Sequence, residues 1–150
     1  MINDAYIQIK GHLGTSGYFN EVFLGEPVSI GHETGLTAAI WTTGMRIPFI
    51  TMSSAVRVYD TRLRIYARAF QRDTKQMELG LSDAVFQVTS DLLGEYNLGG
   101  YARDIDAGGM YGSPMQTTWG NVAVDDTIYR IADIDMGIVM KSSNETSLAR

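Results

Sequence analysis

Cysteine is absent from this 150-residue chain, which removes disulfide frameworks and every cysteine-bearing zinc or redox site from consideration. Histidine occurs twice, as His12 and His32. Without an H-x-x-x-H spacing or a second ligand type beside them, no metal site is expected. No apolar run approaches the length needed to cross a bilayer, and Met1-Ile2-Asn3-Asp4 has neither the basic start nor the apolar core of a signal peptide. A soluble, unexported protein is expected, so Asn144-Glu145-Thr146, which fits a glycosylation pattern, is discounted. Sixteen glycines form no phosphate loop or dinucleotide fingerprint, and neither Ser16 nor Ser113 sits in a nucleophile-bearing turn. No cofactor and no enzymatic activity are therefore expected. A net charge of −5 argues against wrapping nucleic acid, which draws on concentrated Lys and Arg.

What is present is a chain long enough to bury a real core as one domain, 1–150. Its charge is unevenly spread. Residues 1–75 hold eight Lys/Arg and six Asp/Glu, a net of +2, and residues 76–150 hold four and eleven, a net of −7. A solvated surface explains such a split, and so does complementary contact between neighbouring copies.

Along the chain, Asn3 or Asp4 can cap a helix with Ala5, Tyr6, Ile9 and Leu13 at helical spacing. The apolar segment Tyr18 to Leu24 is helix or strand, ended by Gly25-Glu26-Pro27, and Val28 to Gly35 reads as loop. Leu36 to Thr43 predicts a strand leading to a turn near Gly44; Arg46 to Thr51 continues the pairing, with Pro48 at an edge or bulge. From Arg57 the residues alternate: Tyr59, Leu63, Ile65, Ala67 and Ala69 form a core face, and Asp60, Arg62, Arg64, Tyr66 and Arg68 a polar one.

Lys75 to Leu93 carries Met77, Leu81, Ala84, Val85, Val88 and Leu92 at the 3.6-residue period, with Glu78 outside that face and Gly94 as a left-handed cap. After a glycine-rich stretch from Gly99 to Gly120, Asn121–Val124 and Ile128–Met140 predict a hairpin around Asp125-Asp126-Thr127. Ala132, Ile134, Met136, Ile138 and Met140 share one of its faces. The polar end from Ser142 is expected to fray, with 143–150 as the tail. The fold class expected is α+β, a mostly antiparallel sheet with helices packed against it.

Two features offer candidate contacts. Arg62, Arg64 and Arg68 stand side by side along one strand face, and the alternating pairs Asp104/Asp106 and Asp133/Asp135 each lie on one face of an extended segment. No calcium-loop spacing accompanies the carboxylates. Together these seven residues are the candidate subunit or connector interface, with the arginines expected to meet acidic residues of a neighbouring molecule and not DNA.

Several segments, in this order, resemble the tail terminator proteins of long-tailed (siphovirus-type) bacteriophages: Gly25-Glu26-Pro27-x-Ser29, the strand Leu63-Arg64-Ile65-Tyr66, the helix from Leu81 to Leu93, Leu98-Gly99-Gly100 before an acidic extended segment, Trp119-Gly120, and Tyr129-Arg130-Ile131-Ala132-Asp133-Ile134. The resemblance implies an α+β structural protein of the virion neck, assembled in the host cytoplasm and without catalytic residues. It implies a hexameric ring at the head-tail junction, seated on the major tail tube protein and facing the head-tail connector or stopper protein. DNA would pass through the ring without specific binding, and no membrane partner is implied. A head-completion or stopper protein of the same junction is the alternative.

Overall fold

A computed structural model describes residues 2–31, 35–52, 54–68, 74–94, 100, 102, 104–112 and 114–143. His32, Ala69, Ser113, the Leu98-Gly99 step and 144–150, all read above from sequence, lie outside the described residues. The order is α1 (Ile2–Thr15), β1 (Phe19–Leu24), β2 (Leu36–Ile50), β3 (Ser54–Arg68), α2 (Thr74–Gly94), β4 (Asp104–Ile105), β5 (Gln116–Val124) and β6 (Thr127–Ser143). The chain is a single α+β domain with a mostly antiparallel, curled six-stranded sheet, as its periodicities predict.

The strand order is β1-β2-β3-β6-β4, and β5 shares with β4 the second edge of β6. Only β1 and β2 run parallel. The long partners β3 and β6 pair without a break from Ser54↔Ser143 to Arg68↔Tyr129, so Ser142 and Ser143 belong to the sheet and not to a frayed end.

Because side chains alternate across a strand, this register sorts the sheet into two faces. On the inner face, Ala38, Ile40, Leu63, Ile65, Ala132, Ile134, Met136 and Ile138 meet Ala5, Tyr6, Ile9 and Leu13 of α1 and Leu81, Ala84, Val85, Val88 and Leu92 of α2. Both helices thus bury the apolar stripe read from sequence. Tyr6 is anchored by its hydroxyl to Thr61 Oγ1 (2.8 Å) and Thr42 Oγ1 (2.5 Å), so the polar tip of a buried ring is satisfied.

Four local expectations are corrected. No turn forms at Gly44: β2 runs through it, and the ladder with β3 absorbs the irregularity as register shifts at Thr42/Gly44 and at Arg46/Phe49, the latter flanking Pro48. Gly94 ends α2 in helical conformation, without a positive φ. The hairpin turn is the two residues Asp125 (φ 49°) and Asp126 (φ 63°), a primed turn whose twist suits antiparallel strands, and Thr127 is already in β6. β5 begins at Gln116, inside the glycine-rich stretch and ahead of the expected start at Asn121.

Glu78 is not a free outer residue of α2. Arg130 Nε on the inner face of β6 donates to its Oε1 at 2.7 Å, tying helix to sheet. Since both side chains are partly exposed (29% and 40%), Glu78→Ala should cost about 0.5–1 kcal/mol, read as a small fall in the denaturation midpoint.

Candidate functional surface: an ion-pair ladder on the outer face

The other parity of β3 and β6 carries the charges. The antiparallel register sets Arg62 opposite Asp135 and Arg64 opposite Asp133. Each pair closes as a two-point fork. Arg62 Nε and Nη2 donate to Asp135 at 2.9 and 3.3 Å, and Arg64 Nε and Nη2 to Asp133 at 2.7 and 3.1 Å. Arg64 Nη1 also lies 3.6 Å from Glu26 in the turn after β1, and its guanidinium stacks over Trp41 at 5.3 Å.

One step along the same face, Arg46 of β2 forks onto Asp60 of β3 at 3.1 and 3.2 Å and donates through Nη1 to the Tyr111 carbonyl at 2.8 Å. Hydrogen bonds to Asp60, Asp135 and Asp133 respectively raise the pKa of Arg46, Arg62 and Arg64. These forks make geometrically specific, charge-assisted bonds that lock register as well as neutralise charge.

Of the seven residues expected at an intermolecular interface, four therefore partner one another within the chain. Arg68 lies opposite Tyr129. Asp104 and Asp106 do not share an exposed face. Asp104 is half-buried in β4, whereas Asp106 is 3% exposed, donates its N–H to the Gly137 carbonyl and accepts the Tyr111 N–H at 3.0 Å. It organises the 106–112 loop instead of presenting charge. Gly112 is required there: at φ 97° a Cβ would stand 3.1 Å from Arg46 Nη1.

Sequence reasoning missed the Arg46–Asp60 fork and the Glu26 contact. A signal existed, because Asp60, Arg62 and Arg64 alternate in one expected strand and Asp133 and Asp135 in another, the pattern of cross-strand pairing. Arg46 carried no such signal, since the bulges of β2 decide where it points.

Apolar clusters close both ends of the ladder. Val56, Val58 and Val139 pack with Tyr111 on one side, and Tyr66, Tyr129, Ile131, Ala39 and Val124 with Phe23 and Trp41 on the other. Thus the face expected to be polar is partly a second core. Tyr66 is 1% exposed, and its hydroxyl has no partner at good hydrogen-bond geometry, the Arg64 guanidinium being near it but held by Asp133.

Burial pushes the Tyr66 pKa from 10.0 up to about 12, opposed by the nearby Arg64 charge. The phenol favours folding while protonated, so its contribution is complete below pH 10.0 and is lost as pH rises toward about 12. Tyr66→Phe should lack that alkaline loss, and at neutral pH it should be as stable as the parent or about 1 kcal/mol more so. Denaturant titrations from neutral to alkaline pH check both points.

A groove of about 300 Å³ runs beside the ladder, bordered by Thr43, Asp60, Arg62, Gln116 and Asp135. Its charged walls are already paired. Among the described residues no group of three or more His, Cys, Asp or Glu is placed to hold a metal, and no described helix is long and apolar enough to cross a membrane. The chemistry that this surface offers is rigid, internally neutralised shape. No protein-family model and no curated protein matches the chain.

Proposed function

We propose that this protein is a tail terminator of a long-tailed bacteriophage, a structural subunit that closes the head-proximal end of the tail tube as a hexameric ring and provides the surface for head joining. The observation that carries the reading is the order of the resembling segments along the chain, from Gly25-Glu26-Pro27 to Tyr129-Arg130-Ile131-Ala132-Asp133-Ile134. Three of those segments meet in the fold. Gly25-Glu26-Pro27, the Leu63–Tyr66 strand and the last strand all converge on the Glu26–Arg64–Asp133 cluster. The proposal includes a virion location at the neck, contacts with the tail-tube protein and the connector, and no catalytic step.

Tube growth tests it. Tail-tube protein polymerising in the presence of this chain should give tubes of limited length bearing six copies at one end, by electron microscopy and native mass spectrometry. Tubes of unaltered length with no bound copies would refute it. The stopper alternative predicts instead that particles made without the protein have heads that leak DNA on otherwise normal tails.

A further inference from the structure

At the margins of the sheet, β1, β2 and β4 each carry a feature that discourages strand addition: a bulge at Phe19/Glu21 in β1, Pro48 and two register shifts in β2, and a length of two residues in β4. β5 has none of these. From Gln116 to Val124 it contains no charge and no proline, and it pairs with β6 without a register shift. Its other edge faces no described strand, no backbone hydrogen bond among the described residues reaches that edge, and the helix-packed core takes none of the strand's residues. Because a two-residue turn closes at Val124↔Thr127, residues 124, 122, 120 and 118 exchange hydrogen bonds with β6, and Thr117, Trp119, Asn121 and Ala123 point their N–H and C=O groups outward. Trp119, on the inner face opposite Ala132, is 42% exposed.

From this unprotected row we infer that β5 pairs antiparallel with β5 of a second copy about a two-fold axis at Gly120, joining two sheets into one. Self-complementarity selects that occupant. In this register Thr117 and Trp119 of each copy stand opposite Ala123 and Asn121 of the other, so every outward N–H meets an outward carbonyl. Gly120 meets Gly120 on the axis, where no side chain holds the strands apart, and the two Trp119 rings become diagonal neighbours that cover each other's exposed faces. A strand of different sequence would satisfy the backbone row but leave Trp119 without its aromatic partner. Charge agrees with the antiparallel order, which sends the turn residues Asp125 and Asp126 of the two copies to opposite ends, about 30 Å apart and beyond the reach of their repulsion. Parallel order would stack them. The contact is isologous, so it closes at two copies and is distinct from any head-to-tail contact of a ring.

Absence of native cysteine makes the test direct. Across a non-hydrogen-bonded pair the two Cα atoms at 120 would stand about 4.5 Å apart, within the span of a disulfide, and a Cβ there meets Ile131 Cγ1 at an ordinary 4.0 Å. Oxidised Gly120→Cys protein should therefore become a disulfide-linked dimer, whereas Ala123→Cys, about 20 Å from its counterpart in this register, should not. Trp119→Lys and Trp119→Glu each set like charges across the axis and should each weaken self-association on the order of thirtyfold or more by sedimentation, with circular dichroism unchanged. Mixed, the two should recover a 1:1 dimer, because residue 119 then faces an opposite charge. Wild-type protein that stays monomeric to about 1 mM overturns the inference, as does a Lys/Glu mixture that forms no dimer. Cross-linking at 123 as fast as at 120 overturns it too, and that readout survives if a Trp119 variant fails to fold. The pairing stands on this chain's own edge, and its failure would leave the tail-terminator reading untouched.

Discussion

Val88→Asp is expected to abolish folding, while Phe86→Asp, two residues away on the same helix, is expected to leave stability within about 0.5 kcal/mol of the parent. Val88 is 1% exposed and packs on the inner face of the sheet, whereas Phe86 is 68% exposed on the far side of α2. An aspartate at 88 forfeits about 1.5–3 kcal/mol of apolar burial and adds the larger penalty of a carboxylate without a partner. A domain of ordinary stability, about 5–15 kcal/mol, loses most or all of it. Circular dichroism and thermal melting of the two proteins read the difference. Comparable stability would mean that α2 is rotated relative to the sheet, and the assignment of inner and outer faces would fall with it.

Asp133→Ala should be the second most damaging change, costing about 3–5 kcal/mol, because it leaves a guanidinium without its fork in a place water barely reaches. The Arg64 side chain is 11% exposed and Asp133 10%, and the remaining acid near Arg64, Glu26, stands at 3.6 Å. Asp135→Ala, whose partner Arg62 is 33% exposed and keeps Asp133 at 3.7 Å, should cost no more than about 1 kcal/mol. The double replacement Arg64→Met/Asp133→Leu should recover most of the loss, since no charge is then stranded. Midpoints from denaturant titration of the four proteins test the series; an Asp133→Ala loss no greater than that of Asp135→Ala would show the inner pair to be as well solvated as the outer.

The same burial changes what a charge reversal at Arg64 can report. Arg64→Glu would set a third carboxylate against Asp133 and Glu26 and would unfold the outer face before any assembly defect could be read. Arg62, more exposed, is the position where a reversal tests contact with another molecule.

The amino-acid order by itself determined the α+β class, the buried stripes of α1 and α2, and the alternation of β3 and β6, because each is a periodicity that survives without knowledge of neighbours. It also showed that basic residues concentrate before residue 76 and acidic ones after it. What it left undetermined was whom those charges meet. The pairs Arg62–Asp135 and Arg64–Asp133 join residues 73 and 69 positions apart, and only the register of β3 against β6 sets them face to face. A one-residue slip would turn each to the opposite side of the sheet. The bulges that carry β2 past Gly44, the pairing of β1 with Leu36 to Ile40 alone, and the burial of Asp106 and Tyr66 were likewise decided by tertiary structure. Each depends on which backbone lies alongside, a long-range relation that local propensity does not encode.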